Sequence, residues 1–507
     1  MYEFILEARD LGLFRCITDN GAGGISCSFG EMGKYSGGCE CELEGAPLKY
    51  EGLQPWEVLV SEAQERMTLA VQPEQREAFE ALAKRRDVEV AFMGTFNDSG
   101  YFTVKQAGKV VASLDMDFLY ENGCPTMVMP ARWKKPQIDG PALPETTDYQ
   151  QVLLALLGDL NLCSREYKSR MYDGEVKGLS VVKPFVGSQA DVPSDATVLR
   201  VDYQSHRGAV LAEGINPWYS DIDTYAMTTS VIDEAVRRII AVGGELERIA
   251  ILDNFCWPDP VESEKTPDGA YKMAQLVRSC QALYDLTTLY KTPAVSGKDS
   301  CKNDSTRGGK KISIPPTLLI SSVGQISDVR QAVTLPFKAT GDLIYLVGET
   351  HEELGASAYY RWLAEAQGRP EAYGGAVPQV QGEQALALYR TMNQATAQGL
   401  LQSATSPSKG GLALALALAT IGSEHGAQID LSGVSSDATI ALFSESNSRF
   451  VISVKPEDQS AIETLFEGLP LQLIGEVVDG DALTLKGLAT LEREAMRTAF
   501  KATLQGV

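Results

Sequence analysis

The sequence predicts an α+β fold in which mixed sheets are covered by helices and one domain occurs twice. An ordered internal repeat predicts the duplication. Apolar runs of strand length between helical stretches predict the mixed class. An ordinary balance of 44% hydrophobic and 22% charged residues over 507 positions predicts packed cores in several domains. The repeat fixes the architecture. "YEFILEARDLGL" (2–13) aligns with "YRTMNQATAQGL" (389–400), and "TDNGAGGIS" (18–26) with "TSPSKGGLA" (405–413), both at an offset of 387 residues. "SEAQERMTLAVQPEQ" (61–75) matches "SESNSRFVISVKPED" (444–458) at 383, and Gly94 matches Gly475 at 381. Chance similarity between helices would not keep this order and spacing.

In each copy a helix leads into a Gly-Gly turn and a second helix. A strand such as "RFVISV" (449–454) follows, then a helix after Pro456 and two short closing strands. The second copy also has a front end. "GDLIYLVGE" (341–349) reads as a buried strand and "EELGASAYYRWLAEA" (352–366) as a helix. Met1 aligns with Leu388, part-way through the domain, so the first copy is expected to present an unpaired sheet edge and an exposed apolar face. A further α/β block precedes the second copy, and "PQIDGPALPETTD" (136–148) reads as linker. The expected division is a first copy at 1–137, a linker at 138–148, a separate α/β block at 149–335 and the second copy at 336–507.

Composition excludes several functions. A net charge of −22 without a basic stripe argues against nucleic acid or an anionic membrane as partner. The longest apolar run, within 410–422, is far short of the ~20 residues that span a bilayer. The N-terminus has no basic region ahead of an apolar one, so a cytoplasmic location is expected. Nine cysteines form no CxxC pair, which suits reduced, packed thiols. Three isolated histidines leave little material for imidazole-bound metal or Ser-His-Asp catalysis.

The motifs narrow the field. "DLGLFRCITDNGAGGISCSFGEM" (10–32), "VLVSEAQERM" (58–67), "YDGEVKGLSVVKP" (172–184), "TPAVSGKDSCKND" (292–304), "ISIPPTLLISSVGQISDV" (312–329) and "GDLIYLVGE" stand in this order. Together they resemble the synthetase portion of phosphoribosylformylglycinamidine synthase, within the aminoimidazole ribonucleotide synthetase-like superfamily. The resemblance implies an internal pseudo-dimer: two N-terminal-type subdomains forming a barrel, flanked by two C-terminal-type ones. Here the first N-terminal-type subdomain is expected to be lacking. It also implies a C–N ligase of purine biosynthesis. ATP, as substrate with Mg²⁺, activates the amide oxygen of formylglycinamide ribonucleotide, and glutamine-derived ammonia replaces that oxygen.

Site residues follow from the same resemblance. Asp19, before the Gly-rich turn, matches a metal-binding aspartate; alone, such an Asp is more often a turn or cap residue. Glu62, Ala63 and Gln64 match a substrate-contacting Glu-Ser-Gln, with alanine replacing the serine. "SGKDS" (296–300) is not a P-loop, because no glycine stands five residues before Gly297. It matches instead a loop in which Gly297 and Lys298 touch nucleotide and Ser300 touches substrate, Lys298 standing where some relatives hold Asn. Asp253 matches a nucleotide-contacting aspartate. At an auxiliary nucleotide site, Glu234 is retained, while Gly214, Arg238 and Ser406 or Lys409 stand at the other ligand positions. That site is expected to be degenerate, since one carboxylate among cations cannot assemble a magnesium shell.

No catalytic residue is assigned. The family's histidines and substrate loop belong to the first subdomain, so the chain is expected to be inactive without an N-terminal segment or partner chain. The further expected partners are a glutaminase subunit that supplies ammonia and a small bridging subunit. Another superfamily synthetase, such as an aminoimidazole ribonucleotide or selenophosphate synthetase, and a non-catalytic scaffold on a decayed ligase fold are the competing readings.

Overall fold

The computed structural model describes all residues except 122, 124, 126, 172–174 and 506–507, so the first three residues of the 172–184 motif lie outside the described residues. The chain forms two compact units, Met1–Val128 and Met129–Val507. Both are mixed α+β. Among the described residues no helix is long and apolar enough to cross a membrane, and the eight described cysteines are free.

The first unit runs through helix Tyr2–Asp10, strand Cys16–Asp19, helix Gly24–Ser36, strand Cys39–Glu42 and short helix Pro55–Leu59. Strand Met67–Ala70, helix Arg76–Arg85, strands Gly94–Phe96, Tyr101–Gln106 and Lys109–Asp115, and helix Met116–Tyr120 follow. From helix Gly382–Ala397 to helix Arg493–Ala502 the second unit repeats that order element for element. Beyond the sequence expectation, each copy has a strand before the Gly-Gly turn and a strand and helix between the second helix and the expected strand, and it closes on three strands and a helix rather than two strands. "CITD" is too short and too polar to carry a period-two signal. The helix expected over 352–366 starts only at Ala358, where Ser357 Oγ accepts the Tyr360 N–H at 3.2 Å and caps it.

The sheets differ in one place. In the second copy seven strands lie in the order Leu401–Thr405, Phe450–Val454, Leu343–Val347, Leu471–Val478, Gly426–Ile429, Ala482–Leu485, Ala489–Glu492. In the first copy the equivalents form two separate sheets. Cys16–Asp19 pairs with Met67–Ala70, while Gly94–Phe96, Cys39–Glu42, Tyr101–Gln106 and Lys109–Asp115 form a four-stranded sheet. The division falls where Leu343–Val347 sits in the twin. The unpaired edge expected from the repeat is thus present among the described residues.

Ahead of the second copy, a six-stranded sheet is ordered Ala294–Ser300, Ala250–Cys256, Thr317–Ile326, Gly208–Ile215, Thr197–Arg200, Ser180–Val182. Gly208–Ile215 and Thr317–Ile326 alternate between covered and open residues, as strands with one buried face do. Helix Thr224–Ala241 covers that face, and Gly214 permits the approach. A Cβ there would come within 2.0 Å of the Val231 carbonyl oxygen.

That helix is tied to the second copy by a buried acid. Asp233 accepts Arg237 Nη1 at 2.5 Å, Tyr290 Oη at 2.8 Å, and the Ser448 N–H and Oγ both at 3.0 Å, with Tyr389 Oη as a further donor. Arg237 also donates to the Pro407 carbonyl at 3.1 Å. A fully buried carboxylate is stable only when ringed by donors in this way, and removing it strands its arginine. Asp233→Ala is expected to lower unfolding stability by about 3–5 kcal/mol. Urea denaturation checks this; a loss below about 1 kcal/mol would mean that the network is not a fastening.

Candidate functional site

The first candidate set lies on the Gly-Gly turn of the first unit. Strand Cys16–Asp19 delivers Asp19 to the turn, where its Oδ1 accepts the Gly21 N–H at 2.7 Å and the side chain remains exposed. Asn20, buried behind it, accepts Ser28 Oγ at 2.5 Å and Thr68 Oγ1 at 2.9 Å, which pins the turn to helix and strand. Gly24 has a φ of +58°, and a Cβ there would stand 2.3 Å from the Ser61 carbonyl oxygen, so only glycine lets the 61–66 segment lie against the turn. Arg66 donates to that same carbonyl at 2.5 Å. Glu62, also exposed, accepts the Gly23 N–H through Oε1 at 3.3 Å. Ala63 and Gln64 follow it, half-buried and exposed respectively. The structure therefore brings Asp19 and Glu62 to one turn. Asn20, Ser28 and Arg66 lie within the quoted motifs and Thr68 one residue beyond, yet nothing in the sequence set them apart from their neighbours.

The twin turn keeps the same bonds and reverses their setting. Glu445, the counterpart of Glu62, accepts the Gly410 N–H at 2.8 Å, and Arg449 donates to the Ser444 carbonyl at 2.6 Å. Glu445 is 2% exposed and also accepts the Ala358 N–H at 2.9 Å and the Tyr219 hydroxyl. Burial pushes its carboxyl above the usual range, against the lowering effect of those bonds. At Asp19's counterpart, Ser406 donates to Asp195 Oδ1 from its N–H at 2.8 Å and from its Oγ at 2.7 Å. The twin turn is thus filled by the protein's own carboxylates.

Glu234, at the auxiliary position, pairs with Arg238 at 2.9 Å and accepts the Ile215 N–H at 3.3 Å. Burial works against its ionisation, yet Lys409, Arg238 and Arg237 outweigh that and hold its carboxyl below the usual range. Among the described residues no three His, Cys, Asp or Glu side chains cluster as a metal cage.

The second candidate set lies on the six-stranded sheet. The segment read as a loop at 296–300 is instead part of the edge strand Ala294–Ser300, parallel to Ala250–Cys256. Its polar residues gave the strand no apolar period, so the sequence hid it. The register sets Gly297 beside Asp253, Lys298 beside Asn254 and Ser300 beside Cys256. A Cβ on Gly297 would lie 3.0 Å from Asp253 Oδ1, so the glycine leaves that carboxylate open to a ligand. Burial, then the charge of Asp299, raise the Asp253 carboxyl above its usual range. Asp299, between two named residues, was not singled out in the sequence. Lys298 is exposed, and among the described residues no carboxylate pairs with it. Along the edge strand the Gly297–Asp253 pair and Lys298 are successive positions, so they face opposite sides of the sheet.

A family profile described as AIR synthase related protein, C-terminal domain, matches residues 1–106 and again 339–487. The chain belongs to that family and carries its domain twice, as the repeat predicted. Curated relatives include phosphoribosylformylglycinamidine synthase subunit PurL of Methanocaldococcus jannaschii, 31% identical over 99% of this chain and 66% of its own length. The subunit of the same name from Rhodopseudomonas palustris strain TIE-1 is 31% identical over 99% of this chain and 65% of its own length. The chain thus spans just under two thirds of these relatives. Among solved structures, Thermotoga maritima PurL complexed with ADP superposes with a TM-score of 0.61 at 20% identity, covering 94% of this chain and 66% of that one. The same protein complexed with FGAR gives a TM-score of 0.61 over 94% of this chain and 64% of that one. That likeness is one of fold.

Because the folded carboxyl of Asp253 titrates above the unfolded one, its ionisation costs stability. The cost is absent below the unfolded value, near pH 4, and complete above the folded one. Asp253→Asn is therefore expected to be more stable than the parent near pH 7, with the difference closing below about pH 4. Urea midpoints at the two pH values check this; a variant less stable at neutral pH would show that the acid has a partner in the fold.

Proposed function

We propose that this chain takes part in ATP-dependent conversion of formylglycinamide ribonucleotide, with ammonia, to formylglycinamidine ribonucleotide in purine biosynthesis. The observation that carries the reading is the contrast between the two turns: the first leaves Asp19 and Glu62 open to solvent, while the second uses up its acids internally. The relatives' shared name and the ADP and FGAR complexes of Thermotoga maritima PurL support the substrate class.

In this reading Asp19 helps to hold Mg²⁺. One or two carboxylates suffice where phosphate oxygens and water complete an octahedral shell, so the open turn fits that ion and needs no all-protein cage. When bound, the ion neutralises charge on the transferring phosphoryl group. Glu62, Ala63 and Gln64 contact substrate, and the alanine forgoes a hydroxyl contact. Asp253, Gly297 and Lys298 contact nucleotide, the exposed ammonium of Lys298 acting as a point charge for phosphate. Ser300 contacts substrate. The amide oxygen, once activated by ATP, is replaced by ammonia from a glutaminase subunit, in a site that must exclude water. A glutaminase subunit, a small bridging subunit and a cytoplasmic location follow from the same reading. So does the division into subdomains 1–137, 149–335 and 336–507 joined by 138–148.

The test uses the purified chain mixed with the expected N-terminal segment or partner chain, with Mg²⁺, ATP, formylglycinamide ribonucleotide and ammonium, following nucleotide binding by equilibrium dialysis and ADP release. Asp19→Asn and Lys298→Ala are each expected to weaken Mg²⁺-dependent ATP binding or turnover by roughly tenfold or more, at about 1.4 kcal/mol per decade. Binding and turnover unchanged in both variants, or a parent chain that binds no Mg²⁺-ATP, would overturn the reading.

A further inference from the structure

The two Gly-Gly turns differ in what lies beneath them. In the first, the Ser28 and Thr68 hydroxyls both donate to Asn20 Oδ1, and the two hydroxyl oxygens lie 2.9 Å apart. Asn20 and Ser28 are buried and Thr68 is half-buried, so three polar side chains close a covered triangle. The repeat offsets place Pro407, Ala415 and Val451 at the same three positions of the second copy. The sheet register agrees, since Thr18 pairs with Thr68 and Thr405 with Val451. All three are buried, so the same fold closes there without a polar side chain. Valine nearly matches threonine in shape, and exchanging a buried hydrogen-bonded set for apolar groups of the same shape is close to neutral for stability. The triangle is therefore not what the turn needs in order to fold. A paired, buried polar network instead holds the groups attached to it in one arrangement.

Attached to it is the carboxylate of Asp19. Asn20 stands between the two ends of the bond that aims this carboxylate, the Gly21 N–H donating to Asp19 Oδ1 at 2.7 Å. The Asn20 N–H donates to the Arg66 carbonyl at 3.2 Å, and Asp19 pairs in register with Met67, next to Thr68. Asn20 is thus tied by its backbone to the 61–66 segment, and by its side chain to strand Met67–Ala70 and helix Gly24–Ser36. In the second copy proline removes the N–H, and Ser406, in Asp19's place, bonds to Asp195 instead. We propose that Asn20, Ser28 and Thr68 are positioning residues that hold the Asp19 carboxylate in the direction in which it meets a divalent cation. They act through the peptide 19–21, which the triangle keeps from turning. Carboxylates that bind metals are themselves oriented by hydrogen-bonded neighbours, and loss of such a neighbour costs about 10–100-fold in metal affinity. The inference rests on the reading of Asp19 as a Mg²⁺ ligand and adds the residues that aim it.

The test compares Thr68→Val and Ser28→Ala, which install the twin's residues, with Thr68→Ser, which keeps the hydroxyl. Each is made in the whole chain mixed with the expected N-terminal segment or partner chain. Equilibrium dialysis gives the ATP affinity without metal and the Mg²⁺ concentration that half-saturates ATP binding. Thr68→Val and Ser28→Ala are each expected to raise that concentration about tenfold while leaving metal-free ATP binding unchanged, and Thr68→Ser to match the parent. An unchanged Mg²⁺ requirement in both, beside a tenfold loss in Asp19→Asn, would overturn this inference alone. So would an equal loss of metal-free and metal-dependent binding, which is the mark of a merely structural role. A parent chain that binds no Mg²⁺-ATP would overturn the reading of Asp19 and this inference with it.

Discussion

A glutamate side chain accepting the N–H of a left-handed glycine holds both Gly-Gly turns in shape. Glu62 does this for Gly23 and Glu445 for Gly410. Each bond restrains a glycine that would otherwise sample many conformations. The bond sets the 61–66 segment against the turn in one copy and 444–449 in the other. Each segment is clamped a second time, by Arg66 or Arg449 on a serine carbonyl. From this shared frame, each copy's helix starts with its first N–H groups facing the place where a carboxylate or a phosphate can lie.

What separates the copies is the use of that place. In the second, Asp195 comes to Ser406, and Tyr219 and Ala358 come to Glu445, while on the neighbouring helix Thr224–Ala241 Arg238 comes to Glu234. Each acid satisfies a donor of the fold itself, and the nearby Asp233 network fastens helix Thr224–Ala241 to this same copy. The second turn has become an internal joint. In the first, among the described residues, Asp19 and Glu62 each accept a single backbone N–H, and both are exposed. One duplicated motif thus serves as a structural fastening and as an open acidic turn.

Much of this was legible in the sequence, and the failures have physical reasons. The repeat offsets located equivalent residues well enough that Glu62 and Glu445, and Arg66 and Arg449, make the same bonds. The strand Leu343–Val347 was plain because it is apolar on both faces and set between glycines. Cys16–Asp19 and Ala294–Ser300 were hidden because edge strands rich in polar residues lack the alternation that marks a half-buried strand. Asp195 and Tyr219 could not be foreseen as partners of the second turn, because contacts across some two hundred residues leave no local pattern. Asp253 and Gly297 were named separately by resemblance; only the parallel register shows them to be neighbours.

The most direct measurement is anomalous X-ray scattering from crystals of this chain grown with Mn²⁺ in place of Mg²⁺ and a slowly hydrolysed ATP analogue. A manganese peak at the Asp19 carboxylate, with none at the turn of Ser406 and Glu445, is the predicted result. A peak at the Ser406 turn, or none beside Asp19, would contradict the assignment of an open and a closed turn to the two copies.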